Sequence, residues 1–173
     1  GGTMWDTSTA TGLTVTGSSN VIFTYSGSTA STVTPGALSE ANSISFNFTA
    51  GTYALTFMGS LNSAVKSVNF TGFAGTWNAR TSAHTIYGNL TLASGMTFAA
   101  SSGVLTFGAT SGTQVITTNG ITVDEPITLN GVGGTTQLAD AFNLGVARTF
   151  TLTNGTLDLN NKTLTTGLFS SNN

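Results

Sequence analysis

Short triplets of an apolar residue, a Thr or Asn, and a second apolar residue recur along this chain. Each triplet is followed within two residues by Gly, Asn or Ser. Successive side chains of an extended strand point to opposite faces, so each triplet predicts a short strand with an apolar inner face and a polar outer face. Many such strands predict an all-β fold. The clearest triplets are Val68-Asn69-Phe70, Leu90-Thr91-Leu92, Leu105-Thr106-Phe107, Ile127-Thr128-Leu129 and Phe150-Thr151-Leu152.

The spacing of the triplets favours stacked coils. We interpret the triplet ends Phe70, Leu92, Leu129 and Leu152 as a series with a period of about 22 residues, in which Phe107 ends an extra strand. A fixed period of this order is typical of a solenoid, where each coil buries its apolar face against its neighbours. The sequence therefore predicts a β-solenoid of stacked coils. A β-sandwich is the alternative, because it also uses short alternating strands separated by turns.

Turn signals support the solenoid. Asn119-Gly120, Asn130-Gly131 and Asn154-Gly155 each follow a predicted strand, and both residue types accept the positive φ of a tight corner. Helical periodicity is absent, and the one candidate for a single turn is Pro35–Asn42.

The alternation becomes regular only after the first quarter of the chain. We predict an irregular β segment over residues 1–42, which includes a strand at Leu13–Thr16 and could serve for attachment. Residues 43–173 form the predicted stack, and we expect them to be part of a longer chain.

The apolar positions of the regular segments are the predicted core. They are Phe70, Leu90, Leu92, Phe98, Leu105, Phe107, Ile121, Val123, Ile127, Leu129, Leu144, Phe150, Leu152, Leu157 and Leu159.

Composition argues against several functional classes. Only 6% of residues are charged, and the four basic residues are scattered singly, so we expect no nucleic-acid binding. No apolar run approaches the roughly 18 residues of a membrane helix, so we expect no membrane insertion. Cysteine is absent, which excludes disulfides and thiolate ligands.

Few residues are candidates for chemistry. Asp124 and Glu125 are adjacent and should point to opposite faces, so we interpret them as a solvated corner rather than a glycosidase pair. His84 is the only histidine, and we place it in a surface loop. Asn160 and Asn161 suit an amide ladder between coils. We accordingly predict no catalytic residue, no metal site and no cofactor.

Two aromatic residues lie outside the clearest triplets. Trp77 and Tyr87 are candidate contacts for a glycan or for an interface, because sugars stack on exposed aromatic rings. The alternative for Trp77 is a buried contact at a coil end or interface, where large aromatic side chains are enriched.

Three segments resemble the Thr/Gly/Asn-rich repeats of bacteriophage virion structural proteins, such as tail fibres, tailspikes and capsid-attached fibres. They are Ser67–Thr76, Ile86–Leu92 and Leu152–Leu164. The resemblance implies a non-enzymatic part of the virion exterior that assembles with itself, as a trimer, and with other virion proteins. Similar repeats occur in autotransporter-type adhesins of the bacterial surface, so an extracellular adhesin segment that binds cell-surface glycans is the second hypothesis. A fragment of a polysaccharide-degrading tailspike is the third.

Overall fold

The chain folds as a β-solenoid of about 7 turns. The structure is a computed structural model that describes residues 2–6, 19–59 and 62–172. Every strand pair among these residues is parallel, as expected when each coil lies on the previous one. The solenoid prediction is confirmed, and the sandwich alternative is not adopted. The strand expected at Leu13–Thr16 lies outside the described residues.

Strands that stack from coil to coil give the solenoid three faces. The first face comprises β1 (Thr3–Asp6), β3 (Ser31–Thr34), β5 (Ala54–Phe57), β8 (Thr76–Asn78), β11 (Thr97–Phe98), β15 (Phe142–Asn143) and β17 (Leu164–Thr165). The second comprises β6 (Ser63–Val65), β9 (His84–Ile86), β12 (Leu105–Phe107), the first parts of β14 (Ile127–Leu138) and β16 (Thr149–Asp158), and β18 (Leu168–Ser171). The third comprises β2 (Asn20–Phe23), β4 (Ser45–Phe48), β7 (Val68–Asn69), β10 (Leu90–Thr91), β13 (Thr113–Thr117) and the last parts of β14 and β16.

The register divides the triplets into two series. Leu90 pairs with Val68 on the third face, whereas Leu105 pairs with Ile127, and Ile127 with Phe150, on the second face. The triplet ending at Phe107 is therefore a regular member of the second-face series, and its interpretation as an extra strand was wrong. The periodicity of about 22 residues is right within each face, but the two series run on different faces of the same coils.

The second face carries a ladder of hydroxyl groups on its outer side. Its outward positions align from coil to coil because the register is unbroken there. The ladder consists of Thr85, Thr106, Thr128, Thr151 and Ser170. Ala64 occupies the equivalent position on the coil before Thr85. Parallel strands repeat at about 4.8 Å, so the hydroxyl groups form an evenly spaced, uncharged row.

The core is aromatic in the early coils and aliphatic in the later ones. Phe23, Phe48 and Phe70 stack in one column, with ring centroids 4.9 and 5.0 Å apart. Most predicted core residues are buried, while Ile121, Leu152 and Leu157 are half-buried against the core. The prediction for Leu159 was wrong, since it is 42% exposed on the last coil. Stacked rings and branched side chains thus give one continuous apolar interior.

One Asn-Gly pair has positive φ at both residues, and a second has it at its glycine alone. Asn119 and Gly120 have φ of 50° and 82°, and Gly155 has φ of 87°. Gly155 lies inside β16 and Gly131 inside β14, and β14 continues around a corner from the second face to the third. A Cβ at Gly131 would lie 1.9 Å from the Ala109 carbonyl oxygen, so glycine is required there by close approach.

One coil bulges outward between its second and third faces. Ala37 pairs with Ala64 and Phe46 with Val68, so eight residues lie between the two paired positions on this coil and three on the next. The additional residues form a segment that we name the strap, 38–42. The predicted turn over Pro35–Asn42 is confirmed in part, because a single 3-10 turn occupies Glu40–Asn42.

Candidate functional site

The strap and the second face enclose a groove, which we name the strap groove. Its floor is formed by Ala64, Thr85 and Thr106 of the outward row, and its wall by Leu38 and Ser39 of the strap. The cavity has a volume of about 350 Å³. Ala37, Asn62, Ala83, His84 and Tyr87 complete the lining.

Glu40 fastens the strap to a coil far away in sequence. Its carboxylate accepts a hydrogen bond from the Thr110 hydroxyl at 2.7 Å, and the Thr110 backbone N–H lies 3.2 Å from both carboxylate oxygens. At its base, the Ser63 hydroxyl donates to the Pro35 carbonyl at 2.9 Å, and the Ala64 N–H to the Gly36 carbonyl at 3.0 Å. The groove wall is therefore held at both ends.

Tyr87 follows β9 directly and is half-buried at the groove. Its ring lies over Gly108, where a Cβ would be 3.3 Å from the ring and 3.1 Å from the Thr85 methyl group. Burial raises the pKa of the Tyr87 hydroxyl, and the negative charge of Glu40 raises it further. Tyr87 thus presents a partly accessible ring beside hydroxyl groups and near one carboxylate.

Trp77 lies inside the solenoid. Its side chain is fully buried, its indole N–H donates to the Phe57 carbonyl at 3.1 Å, and its ring packs edge-on against Phe98 with centroids 5.0 Å apart. A ring without exposed surface cannot stack on a sugar. Trp77 is buried as the alternative expected, but in the core rather than at a coil end or an interface, and only Tyr87 remains as a surface candidate.

A buried polar cluster lies behind the groove. The surface-loop prediction for His84 was wrong, because His84 belongs to β9 and its side chain is fully buried. The solvated-corner prediction was wrong for Glu125, which is also fully buried, although Asp124 points outward and pairs with Arg148 as opposite faces require. His84 Nε2 lies 3.3 Å from Glu125 Oε2, in a separation suited to an ion pair but without hydrogen-bond alignment.

Backbone groups fix the orientation of this cluster. His84 Nδ1 lies 2.8 Å from the Ser82 carbonyl oxygen, which only accepts, so Nδ1 carries a proton. Ser101 Oγ lies 3.0 Å from Glu125 Oε1 and also contacts the Arg80 carbonyl, and it accepts from the Gly103 N–H at 3.1 Å. A Cβ at Gly103 would come within 2.9 Å of Glu125 Oε1, so this glycine makes room for the carboxylate.

The cluster does not have the geometry of a catalytic triad. In a triad the imidazole lies between the hydroxyl and the carboxylate, whereas here Glu125 lies between Ser101 and His84. Because both titratable side chains are fully buried, a substrate has no access to them. The arrangement is a buried polar network that links neighbouring coils through the interior.

The sequence did contain a signal for His84. His84-Thr85-Ile86 has the polar centre and apolar third residue of the other triplets, with histidine at the first inward position. Its register partners Ser63 and Leu105 both point inward. The buried partner Glu125 likewise alternates with Val123 and Ile127, which are both buried.

The other carboxylates connect neighbouring coils. Asp140 accepts from the Thr118 backbone N–H at 2.9 Å and from the Asn119 N–H at 2.5 Å. Asp158 accepts a hydrogen bond from the Gln137 side chain at 2.7 Å and another from the Asn160 N–H at 2.8 Å. Both hydrogen bonds lower the pKa of Asp158, and the one from Gln137 lowers it more. Each carboxylate therefore braces a coil or turn.

Asparagine side chains make similar connections. The Asn154 amide donates to Asn130 Oδ1 at 2.7 Å, and the Asn160 amide donates to the Leu138 carbonyl at 3.1 Å. The amide ladder expected at Asn160 and Asn161 is thus replaced by a bond from Asn160 to backbone, while a side-chain amide pair occurs elsewhere.

No group of three or more His, Cys, Asp or Glu side chains in ranges 2–6, 19–59 and 62–172 is placed to hold a metal ion. In the same part of the chain, no helix has the length and apolar character needed to span a membrane. The chain matches no protein-family model, no curated protein and no solved structure.

Proposed function

We propose that this chain is a non-enzymatic structural part of the exterior of a bacteriophage particle, such as a fibre, a spike or a capsid decoration. The observation that carries the proposal is that five carboxylates of this chain form hydrogen bonds or ion pairs that hold its own coils and turns together. Glu40, Asp124, Glu125, Asp140 and Asp158 each contact groups of this same chain, and no two of them share a partner. These side chains could perform acid or base chemistry elsewhere, but here they stabilise the stack of coils.

A continuous core supports a mechanical role. Each coil stacks on its neighbours and all of them bury one shared interior, so the stack behaves as a rigid rod. The outer ladder adds hydroxyl groups rather than charges, which suits close packing beside other copies or other particle proteins. Self-assembly as a trimer, expected from the resemblance, belongs to this proposal.

Mass spectrometry of purified phage particles tests the location. Trypsin cleaves at few positions, and Ser67–Arg80 and Thr149–Lys162 are suitable diagnostic peptides. We expect both peptides in density-purified particles, and immunogold labelling of intact particles by an antibody to this chain. Peptides found only in the envelope fraction of uninfected cells would overturn the virion proposal.

The strap groove favours a second candidate, an adhesin segment on the bacterial surface. A surface concavity with a tyrosine ring and hydroxyl groups suits contact with cell-surface glycans. The same fractionation separates the two candidates, because an adhesin is present in cells that carry no phage. A polysaccharide-degrading role has no converging pair of carboxylates in its favour among the residues described, and we do not propose it.

A further inference from the structure

We propose that the strap groove is a binding site for an uncharged carbohydrate, with the Tyr87 ring as its stacking platform. This inference goes beyond a structural role and does not depend on whether the chain belongs to a virion or to a cell surface. It rests on the shape, chemistry, charge and rigidity of the groove.

The dimensions of the groove suit a short stretch of saccharide. Its volume of about 350 Å³ lies within the usual range of about 300 to 1,000 Å³ for small-molecule sites. The floor follows the outward row across Ala64, Thr85 and Thr106, which belong to three successive coils. A linear sugar lying along the solenoid axis would meet a new side chain at each coil.

The lining offers the mixture of groups that a sugar requires. Hydroxyl groups of Ser39, Thr85 and Thr106 can each donate and accept, as sugar hydroxyls do. Leu38, which is half-buried, supplies apolar surface for the C–H face of a sugar ring.

The Tyr87 ring is positioned for stacking. It lies over Gly108, which has no side chain to displace it, and it is half-buried rather than enclosed. A Cβ at position 108 would lie 3.3 Å from the ring, so the ring rests closely on this part of the backbone. A ring held in place loses little freedom when it binds a ligand.

The electrostatics favour an uncharged ligand. None of the lining residues is a lysine or arginine, and the buried His84 faces Glu125 in the interior. Glu40 places a negative charge near Tyr87, as the raised pKa of the Tyr87 hydroxyl reflects. A uronate or sulfated sugar would be repelled, whereas a neutral sugar would not.

The strap is fixed before any ligand binds. Thr110 holds Glu40 at one end, and Ser63 holds the Pro35 carbonyl at the other. The Ser43 hydroxyl also bonds the Glu40 carbonyl at 2.8 Å. A preformed groove lowers the entropic cost of binding.

Titration of the ¹⁵N-labelled chain followed by NMR tests the proposal. The probes are hexasaccharides of β-1,4-glucose, α-1,4-glucose and N-acetylglucosamine, with a hyaluronan hexasaccharide as the anionic comparison. At millimolar concentration we expect at least one neutral probe to shift amide resonances of Ser39, Thr85, Tyr87 and Thr106, and the hyaluronan probe to leave them unchanged.

Matched variants decide whether the groove is responsible. Tyr87→Ala should weaken binding roughly tenfold or more, while Tyr87→Phe keeps the ring and should stay within about threefold. Tyr25→Ala is the control, because Tyr25 is 38% exposed but does not line the groove. If Tyr87→Ala fails to fold, Ser39→Trp tests the groove in its place. Ser39 is an exposed strap residue, so a tryptophan ring there should fill the groove and abolish binding.

Three results would overturn the proposal. They are the absence of groove shifts with all three neutral probes, equally strong shifts with hyaluronan, or binding that survives Ser39→Trp.

Discussion

His84 Nε2 lies 3.3 Å from Glu125 Oε2 with both side chains fully buried, although 41 residues separate them in sequence. Because His84 Nδ1 already donates to the Ser82 carbonyl, a proton is needed between Nε2 and Oε2 for this contact to be attractive. The two residues therefore form one buried unit rather than two independent side chains.

Removing both members of this unit should cost less stability than the sum of the costs of removing each one alone. We expect Glu125→Leu to lower the free energy of unfolding by about 3 to 5 kcal/mol, because it leaves a buried imidazole without its partner. The double variant His84→Leu/Glu125→Leu should lose less than the sum of the single losses. Denaturant unfolding of the four proteins measures the coupling.

Asp124→Asn is the matched control for Glu125. Its pair with Arg148 is partly exposed, so we expect a loss below about 1 kcal/mol. Equal losses of unfolding free energy for Asp124→Asn and Glu125→Leu would contradict the conclusion that Glu125 and His84 form a stabilising buried pair.

The hydrogen bond from Gln137 should control the titration of Asp158. Gln137→Ala should raise the Asp158 pKa toward the ordinary value of about 3.9, because the Gln137 amide is the main cause of its lowering. Carboxyl ¹³C NMR across acidic pH measures the change.

The sign of the accompanying stability effect follows from linkage. A pKa that is lowered in the folded state stabilises the fold above the unfolded-state pKa, and this contribution is lost as the pH falls through the folded-state value. The wild-type chain should therefore lose more stability below about pH 4 than Gln137→Ala does. Parallel acid-unfolding curves would contradict this.

Trp77 should be essential for stability. Trp77→Ala removes a fully buried indole and its hydrogen bond to the Phe57 carbonyl, and we expect a loss of about 3 to 5 kcal/mol. Val146→Ala is the control, since Val146 is 91% exposed and should change stability by no more than about 0.5 kcal/mol. Thermal and denaturant unfolding measure both. A small loss for Trp77→Ala would mean that the ring is not packed in the core.

Gly131 should not tolerate a side chain. A Cβ there would lie 1.9 Å from the Ala109 carbonyl oxygen, so Gly131→Ala should destabilise by more than about 1 kcal/mol. At Gly95 the nearest atom would be 3.6 Å away, and Gly95→Ala should be neutral or stabilise slightly. Comparable unfolding curves for the two variants would exclude close coil approach at this corner.

The alternation of single strands is a local property, and the sequence alone was enough to predict it. In Leu105-Thr106-Phe107 and Ile127-Thr128-Leu129 the outer residue is more exposed than its two neighbours, as expected. Period 2 within each strand and a repeat near 22 residues between strands led directly to the solenoid.

Only the tertiary structure decided which residues meet across coils. The partner of a residue depends on how many residues every intervening coil contains, and the additional residues of the strap change that count. Glu40 thereby reaches Thr110, 70 residues away, and holds in place the strap that walls the groove beside Tyr87. Alternation along a strand was enough to predict that Asp124 and Glu125 point to opposite faces. Only the stacking of the coils determined that Glu125 is the one that points inward and meets His84.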